Sequence, residues 1–369
     1  MQIVDSHTHI LGAGGSVDSR RFLQDLCRGH FLATGLLPSG HKPTEDDWRA
    51  CEWLFAAIDP AASIADHQKA GVDKTVILGI APSDYTPYGI RGTTDPTNCT
   101  GIGGGANIDK GNDYIAALVR LYPDKFIGFG AVNPRYRGVD AAVTELTRMI
   151  VNLKLTGLKL YPMYDHYSAD DETLAFPIFK RALELGIPVI VHQASTPARY
   201  APLGLGRPWL LDAVGRAFPD LKIVIAHAGL PWLDECTALV GRHPNFHMDV
   251  SFANSVLTRE EMYRFIIRCK RWGVPLTQVC WGSDYPCFET LDTLVPKFLT
   301  MNEEADRLAM PRLSEEEMAL MLGGNILRVC GLAWAGLGRE VVGVFNSTAA
   351  SRGRSGRGTR RAGWRRAGR

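Results

Sequence analysis

Two histidines one residue apart, His7 and His9, close a short apolar opening stretch, Gln2-Ile-Val-Asp-Ser-His-Thr-His9. Successive side chains of a strand alternate between faces, so the two imidazoles point the same way, on the side of Ile3 and Asp5. Two imidazoles aimed at one point make half of a metal site. Residues of the same kind recur at or just past the ends of later apolar runs: Lys159, His192, His227 and Asp284. Any one of them alone reads as a satisfied core or surface residue, but the set reads as a metal site. Neutral imidazoles suit zinc, manganese or iron, and a carboxylate completes the sphere while leaving room for water. One or two such ions, Zn²⁺ or another divalent ion such as Mn²⁺, would lower the pKa of a water to roughly 7. Asp284 could hydrogen-bond that water and carry its proton to a leaving group. His227 is either a ligand or a base that polarises a substrate carbonyl.

Lys159 stands apart, because an ammonium facing into a protein interior is costly unless paired. It is carboxylated by carbon dioxide and bridges two metals, or it remains a cation for a substrate carboxylate or for Asp284, or it is a structural lysine at the mouth of the site.

For these side chains to meet, the runs that carry them must lie side by side. Besides the first, strand-like runs cover 74–80, 126–132, 157–161, 187–191, 222–226, 246–250 and 278–283. Helical patterns over 63–70, 112–122, 138–152, 173–185, 208–217, 232–241 and 258–272 alternate with them. A last helical pair at about 314–332, broken at Gly323-Gly324, is expected to pack on the outside. Eight short strands, apolar on both faces and each followed by a helix, indicate an α/β protein with a closed (β/α)₈ TIM barrel. The rival is a doubly wound open sheet, which would place its ligand at a glycine-rich first turn that is absent here. In such a barrel functional groups sit at the C-terminal ends of strands, where the six candidates fall.

Long loops follow strands 1 and 2. Residues 11–59 include an aromatic helical piece around Trp48, Trp53 and Phe55, and residues 81–111 include Gly101-Ile-Gly-Gly-Gly105. That glycine run lacks the Lys-Ser/Thr of a phosphate loop and reads as a lid segment. Asp249, at the end of strand 7, reads as a partner of a ligand histidine or as part of a helix N-cap. His166, Arg199 and Trp232 follow strands 4, 5 and 6 and are candidates for substrate contact. His30, His41, His67 and His243 carry no positional argument.

The 369 residues are 46% hydrophobic, 9% aromatic and 22% charged, enough apolar content for a large core. No apolar run reaches the roughly 18 residues of a membrane helix, and no signal peptide precedes the first strand, which argues for the cytoplasm. The eight cysteines form no CxxC pair and read as buried free thiols. Removing the eight arginines between Arg352 and Arg369 from the net charge of +2 leaves the remainder at −6. The chain therefore divides into a barrel domain, 1–335, and a disordered Gly/Ser/Arg-rich tail, 336–369. The tail could contact nucleic acid non-specifically, but an appended segment with no selected role is the favoured reading.

The chain resembles the amidohydrolase superfamily, and within it the amidohydrolase-related group that includes aminocarboxymuconate-semialdehyde decarboxylase and resorcylate-type decarboxylases. The resemblance rests on Asp5-Ser-His-Thr-His9, Gly157-Leu-Lys-Leu-Tyr-Pro162, Pro188-Val-Ile-Val-His192, Phe218-Pro-Asp-Leu-Lys-Ile-Val-Ile-Ala-His-Ala-Gly229 and Trp281-Gly-Ser-Asp-Tyr-Pro286. It implies His7, His9, His192 and Asp284 as metal ligands, with His227 a second-metal ligand or an acid/base. The decarboxylases of the group typically have no lysine at the strand 4 position, whereas two-metal hydrolases do, so Lys159 tilts the expectation toward hydrolysis. The expected activity is metal-dependent hydrolysis of a C–N or C–O bond of a small-molecule substrate, with non-oxidative decarboxylation of a small carboxylic acid as the alternative. A membrane partner is not expected, and a homo-oligomer is compatible with the sequence.

Overall fold

Strands that are apolar on both faces must be covered twice, once by one another across a barrel and once by helices. The computed structural model describes residues 1–10, 44, 60–79, 108–136, 138–196, 201–287, 289–334 and 336. Its strands are β1 (Val4–Thr8), β2 (Lys74–Leu78), β3 (Phe126–Ala131), β4 (Gly157–Leu160), β5 (Val189–Val191), β6 (Ile223–Ile225), β7 (Phe246–Asp249) and β8 (Val279–Cys280). The flanking helices are α1 (Pro60–Lys69), α2 (Ile108–Leu121), α3 (Val139–Val151), α4 (Phe176–Glu184), α5 (Leu211–Ala217), α6 (Leu233–Arg242), α7 (Ser251–Val256) and α8 (Arg259–Arg271), followed by α9 (Leu291–Leu299) and α10 (Asn302–Leu308). Trp48, Trp53, Phe55, the Gly101–Gly105 run, His30, His41, Arg199 and residues 337–369 lie outside the described residues.

The eight strands pair in chain order, each parallel to the next. The barrel closes where β8 runs on past Cys280 beside β1. There the Ser6 N–H donates to the Trp281 carbonyl (3.2 Å), the Asp284 N–H to the His7 carbonyl (2.9 Å) and the His9 N–H to the Tyr285 carbonyl (2.7 Å). Gly282 permits this approach, since a Cβ there would lie 2.8 Å from Ser6 Oγ. The expected (β/α)₈ TIM barrel is the observed fold.

Val4, Leu78, Phe129, Ile190, Val224 and Cys280 pack inside the barrel. Ile77, Leu158, Val189, Ile223 and Met248 belong to the larger layer between strands and helices. The last helical pair departs from expectation. It consists of α11 (Glu315–Ala319), a π-helical segment Leu320–Gly324 and α12 (Asn325–Val329), so the glycine pair widens the helix instead of breaking it. It also does not pack on the outside: Ile326, Leu327 and Val329 join the inner cluster. Gly323 passes so close to the start of β1 that a Cβ would lie 2.7 Å from the Gln2 carbonyl oxygen. This element plugs the end of the barrel opposite the candidate residues.

Local sequence sets the helix ends. Thr258 and Glu261 form a reciprocal capping box at the start of α8, and Ser314 with Glu317 do the same for α11. The helices α7, α9 and α10 are not among the helical patterns expected from the sequence, although Leu291, Leu294, Val295 and Phe298 give α9 one buried apolar face. Among the described cysteines, Cys236, Cys269, Cys280 and Cys287 are buried free thiols and Cys330 is a half-buried one. Among the described residues no helix is long and apolar enough to cross a membrane.

One buried side chain ties three elements together. Asn112 of α2 donates to the Ala131 carbonyl (3.0 Å) and to Glu145 Oε1 (2.7 Å), and its own carbonyl accepts the Ala131 N–H (2.8 Å). Removing it would strand buried donors and acceptors at the end of β3. Asn112→Ala is expected to lower stability by about 3 kcal/mol in a denaturant titration; a loss under about 1 kcal/mol would show that the clip is dispensable.

Candidate metal centre

Each candidate reaches the barrel interior by a local device. Lys159 needs none: its neighbours Leu158 and Leu160 face the helices, so it alternates inward and is fully buried. His192 is the first residue after β5. On β1 simple alternation fails. Val4 lies in the inner cluster and Ile3 in the outer one, while the pairing with β2 shifts between Asp5 and Thr8. His7 and His9 do share a face, with ring centroids 5.4 Å apart, but it is not the face of Ile3 and Asp5. Asp5 turns the other way, to within 3.4 Å of His67 Nε2 on α1. Its carboxylate accepts the His7 N–H (3.0 Å), the Ser283 N–H (3.0 Å) and the Ser283 hydroxyl, holding the irregular turn of β1 against β8.

His227 and Asp284 arrive through left-handed backbone, each with φ of 61°. For residues with a Cβ this costs on the order of 1–2 kcal/mol, and surrounding bonds must enforce it. The His227 N–H is held by Asp249 Oδ1 (3.1 Å) and the Asp284 N–H by the His7 carbonyl. Strain of this kind concentrates where side-chain aim matters more than local comfort.

The six side chains converge. Asp284 Oδ1 lies 3.6 Å from both His7 Nε2 and His9 Nε2. Lys159 Nζ is 3.3 Å from His7 Nε2 and 4.9 Å above the Tyr161 ring. His227 Nε2 faces His192 Nδ1 at 3.1 Å, and the His7 and His227 rings are 4.7 Å apart. Asp249, read from sequence as a histidine partner or cap, holds His7: its Oδ2 lies 3.0 Å from His7 Nδ1. His7, His9 and Asp284 form one group with ligand atoms close enough to share an ion, and His7, His227 and Asp249 form another.

Burial dominates the electrostatics. It holds His7, His192 and His227 well below the ordinary histidine range. His9 is lowered to about 3, by burial first and then by Lys159. The four rings are therefore neutral and available as ligands. Burial also pulls Lys159 down to about 8 against the attraction of Asp249 and Asp284, and it pushes Asp284 well above the carboxylate range against the attraction of Lys159. Four neutral imidazoles, a carboxyl group and a lysine crowded in one dry space suit a bound cation, which favours bare imidazoles and an ionised carboxylate. His192 Nε2 fits the same picture, being buried with no hydrogen-bond partner among the described residues.

Several neighbours of the cluster are not among the residues expected from the sequence. Tyr161 stacks on His192 at 6.3 Å between centroids, and Tyr164 meets it edge-on at 4.9 Å. Phe252 stands perpendicular to His227 at 6.0 Å. Ser251 Oγ lies 2.8 Å from His227 Nδ1 and donates to Asp249. Tyr161 could have been found, lying two residues beyond Lys159 and so on the same face; Ser251 could not. The remaining candidates are placed elsewhere. His166 has a left-handed backbone, and its carbonyl accepts from Arg135, while Trp232 lies under the Arg207 guanidinium. His243 pairs with Asp212, 3.0 Å away.

Asp249→Asn would turn one carboxylate oxygen into a donor facing existing donors. It is expected to weaken Zn²⁺ or Mn²⁺ binding by about 10–100-fold, read by titrating the metal-free protein. Binding within about threefold of the wild type would show that His7 is oriented without it.

No curated protein matches the sequence. Among solved structures, an uncharacterised TIM-barrel protein from Bordetella bronchiseptica is 20% identical with a TM-score of 0.63, over 90% of this chain and 99% of that one. The 5-carboxyvanillate decarboxylase of Novosphingobium aromaticivorans, solved with manganese and a nitrobenzoic acid, is 18% identical with a TM-score of 0.55, over 90% and 96%. An amidohydrolase from Burkholderia multivorans with bound zinc is 14% identical with a TM-score of 0.55, over 90% and 100%. At such identities these likenesses speak to the fold alone. The family model described as amidohydrolase matches residues 4–332, nearly the whole barrel, and the chain belongs to that family.

Proposed function

We propose that the protein is a metal-dependent hydrolase that cleaves a carbon–nitrogen or carbon–oxygen bond of a small molecule, with His7, His9, His192 and Asp284 as metal ligands. Zinc and manganese both suit imidazole and carboxylate donors, and each accompanies one of the related structures named above. A bound divalent ion would polarise the scissile carbonyl and lower the pKa of a water to roughly 7.

The observation that carries this reading is Lys159, fully buried with its amine 3.3 Å from His7 Nε2. Pulled down to about 8, it is neutral in roughly one molecule in ten near pH 7. A neutral amine adds to carbon dioxide, forming an N–C bond and releasing one proton, and the resulting carbamate is an anion. That anion, placed among neutral imidazoles, would support a second ion. Asp284, whose carboxyl binds a proton readily in this dry setting, can take a proton from the attacking water and deliver it to the leaving group.

A second reading, non-oxidative decarboxylation of an aromatic or unsaturated acid, is supported by the rings of Tyr161, Tyr164 and Phe252 beside His192 and His227. In that case Lys159 remains a cation and pairs with the substrate carboxylate.

The purified protein is expected to contain zinc or manganese in stoichiometric amount and to lose hydrolysis of an ester and amide panel on chelation, regaining it on metal addition. Lys159→Ala should cost at least ~100-fold in kcat/KM and abolish the carbamate carbon signal seen with ¹³C-bicarbonate. Activity that survives complete chelation would refute both readings. Carbon dioxide release from hydroxybenzoates, with no carbamate signal and no hydrolysis, would establish the second over the first.

A further inference from the structure

The bonds around Asp249 constrain where the imidazole hydrogens sit. Asp249 Oδ1 accepts the His227 N–H (3.1 Å), the Ser251 N–H (3.1 Å) and the Ser251 hydroxyl. The single hydroxyl hydrogen of Ser251 is thereby committed to the carboxylate, so toward His227 Nδ1, 2.8 Å away, Ser251 Oγ can only accept. His227 Nδ1 must then carry the ring hydrogen, which leaves its Nε2 bare. That nitrogen faces His192 Nδ1 at 3.1 Å, so His192 supplies the hydrogen there and its own Nε2 is left bare. This last atom is buried and has no hydrogen-bond partner among the described residues.

We infer that Ser251 is a positioning residue that sets the tautomer of His227 and, through it, that of His192, so that His192 offers a bare Nε2 to a divalent cation. The inference rests on reading the cluster as a metal centre. It assigns Ser251 a part that a hydroxyl in a buried turn does not otherwise have: it passes the acceptor character of one carboxylate across two rings. A rival interaction points the other way. The Phe252 N–H lies 3.4 Å from His227 Nδ1 and would favour a bare nitrogen there. The serine contact is 0.6 Å shorter (3.4 Å against 2.8 Å), and the hydrogen committed to Asp249 gives Ser251 nothing else to offer, so the serine prevails.

The test is the tautomeric state of the full-length, metal-free protein labelled with ¹⁵N-histidine, read from long-range ¹H–¹⁵N correlations. The wild type is expected to show Nδ1–H at both His227 and His192. In Ser251→Ala the Phe252 N–H is left beside His227 Nδ1, so the hydrogens should move to Nε2 on both rings. The Zn²⁺ dissociation constant, measured by competition with a chromophoric chelator, should then rise about 10–100-fold. Ser251→Thr, which keeps a hydroxyl, should restore the wild-type spectrum and affinity. Nε2–H at His227 in the wild type overturns the inference, as do unchanged tautomers and affinity in Ser251→Ala. If the alanine variant does not fold, the wild-type spectrum alone decides. Should the wild type bind no zinc, the metal reading fails, while the spectra still determine whether Ser251 sets the tautomers.

Discussion

The interior of this barrel depends on one buried carboxylate. Asp249 uses both oxygens: one faces His7, while the other gathers two backbone N–H groups and the Ser251 hydroxyl. A polar group removed from water is costly unless each of its bonds is remade inside the protein. Here that requirement is met in a way that also fixes geometry. The bond to the His227 N–H helps hold a left-handed residue, and the bond to His7 Nδ1 turns that ring's other nitrogen toward Asp284 and Lys159. Asp5 performs the matching task on β1, where it holds the irregular strand that lets His7 and His9 face inward.

The same dryness that demands these bonds also sets charge. Burial discourages imidazolium, ammonium and carboxylate alike, so the rings are neutral and Lys159 and Asp284 are both displaced toward their uncharged forms. The arrangement is costly without a cation and suited to one, which is a common relation between stability and function in buried sites. Aromatic rings on one side, Tyr161 and Tyr164, keep the environment of His192 apolar.

Much of this was legible in the sequence for a simple reason. Parallel barrel strands are apolar throughout, so the first polar residue at each strand end stands out, and the barrel rule brings these ends together. Lys159, His192, His227 and Asp284 were found that way. What could not be read depends on contacts between distant segments. The face taken by Asp5 follows from a pairing irregularity with β2, and the role of Ser251 follows from a carboxylate and a ring on neighbouring strands. The inward packing of α12 likewise reflects the shape of the open barrel end, not any periodicity in the helix itself.

The seam between β1 and β8 has a kinetic meaning. Asp5 and Ser283, bonded across it, are separated by 278 residues in the chain, and both flanking segments carry candidate ligands. A ribosome releases β1 long before β8, so the nascent chain must keep a strand with an unpaired edge from associating wrongly until its last partner emerges. Closing so long a loop is slow, and the pocket cannot exist in any N-terminal or C-terminal fragment. The site is therefore complete only once the two ends of the chain have met, and a chain that carries the assembled cluster has both of them in place.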